Sequence, residues 1–210
     1  DEHPAKQYLL NRKLPTDYFD RLYYCDKFQT YVNRIRPGTF ESLNKKYEHP
    51  RLIIPFYDVD NQVFAIQGRA FGKEQPKYLT IKLQENKQKI FGLERINLHK
   101  RLYIVEGPLD SLFLDNCLAA GGADLQLPVD KKDVVFIFDN EPRNKEIIDR
   151  MYKMIEKDYM IVIWPEGQTE KDINEMIING KTKDQVQKII SDNTYSGLSA
   201  ITQINSYKRC

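Results

Sequence analysis

An α/β fold is predicted for the second half of this 210-residue chain, preceded by a smaller, basic, mixed α+β half. Three observations carry that prediction. After Lys100, short uninterrupted apolar runs alternate with helix-patterned stretches, the rhythm of a parallel sheet flanked by helices and covered on both faces. Before it, two β-rich runs between Arg51 and Phe71 flank Asp58-Val59-Asp60-Asn61, a turn sequence suited to an antiparallel hairpin. Charge divides at the same place: residues 1–100 carry 18 Lys+Arg and 12 Asp+Glu, whereas residues 101–210 carry 14 and 18. A basic half beside an acidic half suggests that one part faces a polyanion while the other gathers carboxylates around metal ions.

The elements follow in order. Ala5, Tyr8 and Leu9, with Leu14 nearby, share one helical face, and Pro15 closes that helix. A second helix is expected from Thr16-Asp17, carrying Phe19, Leu22 and Tyr23. Leu52–Phe56 and Val63–Ile66 form the hairpin, and Gly68 allows a close backbone approach or a bend. Leu102–Val105 begins the parallel sheet. A helix is expected around Leu109–Leu118, placing Cys117 as a buried small hydrophobe on it, then a brief strand at Leu118–Ala120. Val134–Phe138, a helix after Pro142, Ile161–Trp164 and a helix from Asp172 complete the alternation. The expected division is a basic subdomain over 1–100, the parallel-sheet domain over 101–180, and a helical support or docking element over 181–210, including the helix Asp184–Ile190.

Composition excludes several classes. With 41% hydrophobic and 30% charged residues the chain is neither disordered nor collagen-like. No apolar run approaches the ~18–20 residues of a membrane span, and Asp1-Glu2-His3-Pro4 is unlike a signal peptide. The cytoplasm, bacterial or that of a phage-infected host, is the expected compartment, with no membrane partner. Lacking an initial Met, the chain reads as a fragment or a processed product. Cys25, Cys117 and Cys210 are isolated, which argues against a zinc site or a disulfide framework. His3, His49 and His99 read as surface residues, and no P-loop motif occurs.

Chemistry in parallel sheets gathers at the carboxyl ends of strands, and here those ends are acidic. Glu106-Gly107-Pro108-Leu109-Asp110 follows the first strand, with two carboxylates at one strand-helix corner. Asp139-Asn140-Glu141 follows the second long strand, and Lys171-Asp172-Ile173-Asn174-Glu175 comes after the third. Crowded carboxylates repel unless a hard cation such as Mg²⁺ or Mn²⁺ compensates them. Helix capping alone explains Asp110 or Asp172; it does not explain a Glu before a Gly-Pro turn. Glu106, Asp110, Asp139, Glu141 and Asp172 are therefore the candidate metal ligands.

These residues resemble the TOPRIM domain: Glu106-Gly107-x-x-Asp110 after an apolar strand is similar to its glutamate motif, and Asp139-Asn140-Glu141 to its paired-acid motif, with Glu141 where Asp is usual. Upstream, Ala5-x-x-Tyr8-Leu9-x-x-Arg12-x-Leu14 resembles the opening of the RNA polymerase domain of DnaG-type primases. Arg51–Phe56 through Ala65–Arg69, then Pro76-Lys77-Tyr78-Leu79, then Ile90–Leu93 resemble its following blocks in the same order, and the compact form resembles bacteriophage primases. The match runs over residues 4–178.

That resemblance implies a TOPRIM-type parallel sheet and metal-dependent synthesis of short RNA primers on single-stranded DNA, with Mg²⁺ or Mn²⁺ as cofactor. Single-stranded DNA template, ribonucleoside triphosphates and RNA primer are the implied substrates, a replicative helicase the implied partner, and a zinc-binding domain ahead of Asp1 is usual in such primases. It implies that Glu106, Arg69 and Lys77 are catalytic and that Arg51, Arg69, Lys77 and Lys87 contact nucleotide or DNA. Independently, residues 69–100 hold eight Lys+Arg against three Glu, enough to attract phosphates. Tyr23, Tyr24 and Tyr78 are candidates for base stacking. Two alternatives share the acids: a metal-dependent TOPRIM nuclease, and a non-catalytic module that binds DNA or a helicase.

Overall fold

The computed structural model describes residues 3–41, 43, 48–121, 125 and 129–210. The chain forms two compact units, Asp1–Glu94 and Arg95–Cys210.

The first unit opens with helix α1 (Pro4–Asn11), whose start is capped by the His3 ring accepting from the Ala5 N–H at 3.2 Å. Ala5 and Leu9 are buried, as is Leu14, so the expected apolar face is the one that packs. Thr16–Arg21 is a 3-10 helix rather than the α-helix expected, and Tyr23 lies in strand β1 (Tyr23–Cys25). None of the six 3-10 residues is buried, so no packed face sustains a longer helix there. Helix α2 (Phe28–Ile35) follows, then β2 (Arg51–Tyr57), β3 (Val63–Ala70), β4 (Tyr78–Lys82) and the short β5 (Ile90–Phe91).

Strands β1-β2-β3-β4 form an antiparallel sheet in that order. The predicted hairpin is β2–β3, joined by a turn in which the Asp58 carboxylate accepts from the N–H groups of Asp60 and Gln62 at 3.0 and 2.9 Å. Phe28 and Val32 of α2 pack on Ile53, Ile66 and Ile81 of the sheet. The close approach expected at Gly68 is to Phe28: a Cβ there would stand under 3.0 Å from a carbon of the Phe28 ring.

The second unit places β10, β9, β8, β6 and β7 side by side in that order. Their ranges are β6 Leu102–Val105, β7 Cys117–Ala120, β8 Val134–Phe136, β9 Met160–Val162 and β10 Thr194–Tyr195. The pairs β6–β7, β6–β8 and β8–β9 are parallel, and β10 joins β9 antiparallel. The helices are α3 (Lys145–Glu156), α4 (Ile173–Ile178), α5 (Lys183–Asp192) and α6 (Gly197–Tyr207). In place of the helix expected around Leu109–Leu118 there is only a 3-10 turn, Asp110–Phe113. Ser111, Leu112, Phe113 and Leu114 are all buried, so the segment is core-filling on every side, and Cys117 is buried on a strand instead of a helix. Residues 181–210 belong to this unit: β10 extends the sheet, and Val186, Ile190, Ala200 and Ile204 are fully buried. No described helix is long and apolar enough to cross a membrane.

Candidate active site

In the second unit, Glu106 and Asp139 follow the carboxyl ends of the neighbouring parallel strands β6 and β8, which delivers them to one cleft. The cleft is lined by Glu106, Gly107, Asp110, Asp139 and Asp172 over a floor that includes Val105, Ile137, Phe138 and Trp164. Four of the five expected metal ligands therefore share one wall. Glu141 lines an adjoining hollow with Pro142, Arg143, Asn144 and Arg209.

Local chemistry fixes each acid. Asp110 folds back on Gly107: a Cβ at 107 would stand under 3.0 Å from an Asp110 carboxylate oxygen, so a side chain there would push that acid aside. That carboxylate also accepts from the Asn174 N–H at 3.3 Å. Asp172 caps α4 by accepting from the Glu175 N–H at 2.7 Å, a structural task that leaves its second oxygen available. Trp164 donates its indole N–H to the Phe138 carbonyl at 2.8 Å and so holds the segment between β8 and Asp139.

Two basic side chains that sequence reasoning left unassigned meet these acids. Arg150, on α3, ion-pairs with Glu106 while its guanidinium lies 5.0 Å from the Phe138 ring centre. Lys171 ion-pairs with Glu141 and stands 3.6 Å from Asp139. Burial pushes the Asp139 carboxyl up to about 6, helped by the negative charge of Glu106 and opposed by Lys171. Glu141 moves the other way, held below the usual Glu range by hydrogen bonds from Asn144 and Lys171.

Asn140, between the two acids, is fully engaged. Its amide nitrogen donates to the carbonyls of Gln168 and Glu170 at 2.8 and 3.0 Å, and its oxygen accepts from the Tyr207 hydroxyl at 3.0 Å. Burial keeps that Tyr207 proton in place by pushing its pKa up. No periodicity marks Arg150 as a site residue. Lys171, adjacent to Asp172, was findable by its place in the strand-end segment.

Among the described residues, no three acidic, His or Cys side chains converge as a ready-made metal cage. The donor set nevertheless fits a hard divalent ion: four carboxylates line the cleft, neither His nor Cys does, and Asp139 is raised first by burial and then by the negative charge of Glu106.

In the first unit the expected basic residues differ in what they are free to do. Lys77 is exposed, with its ammonium 5.6 Å from the Tyr78 ring centre. Arg69 is only 4% exposed; its guanidinium lies over Tyr8 at 4.6 Å and Tyr78 at 5.4 Å, and Nε donates to the Tyr78 hydroxyl at 2.9 Å. Arg51, expected at a nucleotide- or DNA-binding surface, is 2% exposed and donates to the carbonyls of Gly68 and Pro76 at 3.1 and 3.0 Å. Its Nη1 so ties β3 to the segment ahead of β4, and the side chain is buried from solvent. Lys87 is ion-paired with Asp58. Of the stacking candidates, Tyr23, Tyr24 and Tyr78 are all exposed.

The chain is 35% identical over 214 residues to the DNA primase of Enterobacteria phage T4, an alignment that takes in all of this chain and 61% of that protein. The chain thus spans about three fifths of that relative's length. Solved structures share the fold. The Aquifex aeolicus primase, zinc-binding and RNA polymerase domains, superposes with a TM-score of 0.66 at 18% identity, over 93% of this chain and 57% of that one. The E. coli primase catalytic core gives 0.63 at 18% identity, over 97% and 76%. A DnaG primase catalytic domain bound to single-stranded DNA gives 0.64 at 17% identity, over 97% and 77%. No family model matches the chain.

Proposed function

We propose that this chain is the catalytic core of a DnaG-type DNA primase, with a TOPRIM-type second unit, and that it synthesises short RNA primers on single-stranded DNA. The observation that carries the reading is the acidic cleft: Glu106 and Asp139, just past two adjacent parallel strands, share it with Asp110 of the 3-10 turn and Asp172 at the start of α4, in a chain with the primase fold. The substrates are the DNA template, ribonucleoside triphosphates and the growing RNA, and a replicative helicase is the partner in a bacterial or phage-infected cytoplasm.

Glu106, Asp139 and Asp172 would hold Mg²⁺ or Mn²⁺, with Asp110 and Glu141 as further ligands. Such an ion supplies Lewis acidity and neutralises charge at the reacting phosphate. The protein's own share is positioning. Asn140 fixes the acid pair against the loop at residues 168–171, the capped start of α4 fixes Asp172, and Trp164 holds the segment just past β8. A cleft set in this way requires little reorganisation as charge moves during transfer. In the first unit, Lys77 contacts phosphate, and Arg69 acts behind it by holding Tyr78.

Glu106→Gln removes one negative charge at the strand end and leaves the side-chain volume intact. The expected outcome is loss of metal-dependent extension of an annealed RNA primer, with an unchanged circular dichroism spectrum and melting temperature. Extension at the wild-type rate would refute the reading. Shortening of either strand in place of extension would assign the same acids to a nuclease, and DNA binding with neither activity would leave a non-catalytic module.

A further inference from the structure

Lys171 is held in place from both sides. Its N–H donates to the Glu175 carboxylate at 2.7 Å, and its carbonyl accepts from the Asn140 N–H at 2.7 Å. The Asn140 side chain stitches the same loop at the Gln168 and Glu170 carbonyls, so the lysine stem starts from a fixed point opposite the Asp139–Glu141 pair. The side chain beyond that point is half exposed, and its ammonium reaches both carboxylates.

We propose that Lys171 is the resident counter-cation of the Asp139–Glu141 pair: it holds the two acids side by side when no ion is bound, and a divalent ion binds there by displacing its ammonium into solvent. The inference rests on the reading of the cleft as a metal site.

The physical case is one of competition. Two carboxylates two residues apart repel, and an ammonium beside both offsets that repulsion, yet a half-exposed lysine holds them only weakly because water competes for its charge. A divalent ion brings twice the charge and direct coordination at about 2.0–2.1 Å for Mg²⁺, against a hydrogen-bonded ammonium. The flexible four-carbon stem lets Lys171 leave without disturbing a backbone anchored independently of its charge. Arg150 is a poorer candidate for displacement, because its guanidinium also lies over the Phe138 ring. Lys171 is thus a positioning residue that sets how tightly the pair holds an ion.

The test is a titration of the whole chain with Mn²⁺ alone, without nucleotide, following the free-ion electron paramagnetic resonance signal. Wild type, Lys171→Met, Lys171→Arg and Asp139→Asn are compared, each checked by its melting temperature. Lys171→Met is expected to bind Mn²⁺ roughly fivefold tighter or more, the effect of removing one competing charge at contact distance. Lys171→Arg should bind no tighter than wild type. Unchanged or weaker binding by Lys171→Met would overturn the inference while leaving the metal site intact. Equal tightening in both variants would also overturn it, since the effect would then not be one of charge. Wild-type binding that is absent, or insensitive to Asp139→Asn, would remove the metal site itself and the inference with it.

Discussion

Arg51, Arg69, Lys77 and Lys87 look alike as letters, and burial separates them. Arg51 bonds the carbonyls of Gly68 in β3 and of Pro76 just ahead of β4, Lys87 pairs with Asp58, Arg69 stacks on two tyrosines, and of the four only Lys77 is exposed. The Asp58–Lys87 pair has a measurable consequence. Lys87 lowers the Asp58 pKa most, and the Gln62 and Asp60 N–H groups lower it further. A carboxyl lowered in the folded state adds stability that is fully present above the ordinary Asp pKa of about 4, and that is lost as pH falls through the lowered value. Wild type should therefore exceed Asp58→Asn in urea midpoint at pH 7, and the gap should close towards pH 2. A gap that is the same at both pH values would show that this ion pair contributes nothing.

At the scale of elements, the hairpin β2–β3 was legible because turn chemistry and β-branched runs agree over a short span. The two expected helices that failed, after Thr16 and around Leu109, failed for opposite reasons. Thr16–Arg21 buries nothing, whereas Ser111–Leu114 is buried throughout, and apolar spacing alone does not distinguish a buried turn from a helix face. Gly68 joins strand to helix: β3 carries no side chain there, and the Phe28 ring of α2 fills the space. Gly68→Ala should destabilise the fold by roughly 1–3 kcal/mol, the usual cost of overpacking a filled core. A urea unfolding curve matching wild type would show that the ring moves aside freely.

For the whole molecule, charge is segregated along the sequence, with an excess of Lys+Arg before Lys100 and of Asp+Glu after it. If the basic half binds single-stranded DNA through phosphates, affinity should fall steeply with salt, by roughly twentyfold between 50 and 200 mM for about three neutralised phosphates. Lys77→Ala should lower the slope of log affinity against log salt by about 0.7. Fluorescence anisotropy with a labelled oligonucleotide measures both, and a salt-independent affinity would exclude phosphate-led binding.

The sequence by itself determined the parallel strands after Lys100, the helices after Pro142 and from Asp172, the hairpin before Lys100, and the acids that follow the strands, because each is written in local periodicity or in adjacent residues. Glu106, Asp110 and Asp139 needed only the rule that strand ends carry chemistry. Tertiary structure alone decided which of those acids share a cleft, that Arg150 and Lys171 are the cations set against them, and that Arg51 is a buried strand tie. Those outcomes depend on contacts between residues tens of positions apart, Glu106 with Arg150 and Asn140 with Gln168 and Tyr207, and sequence spacing does not encode such distances.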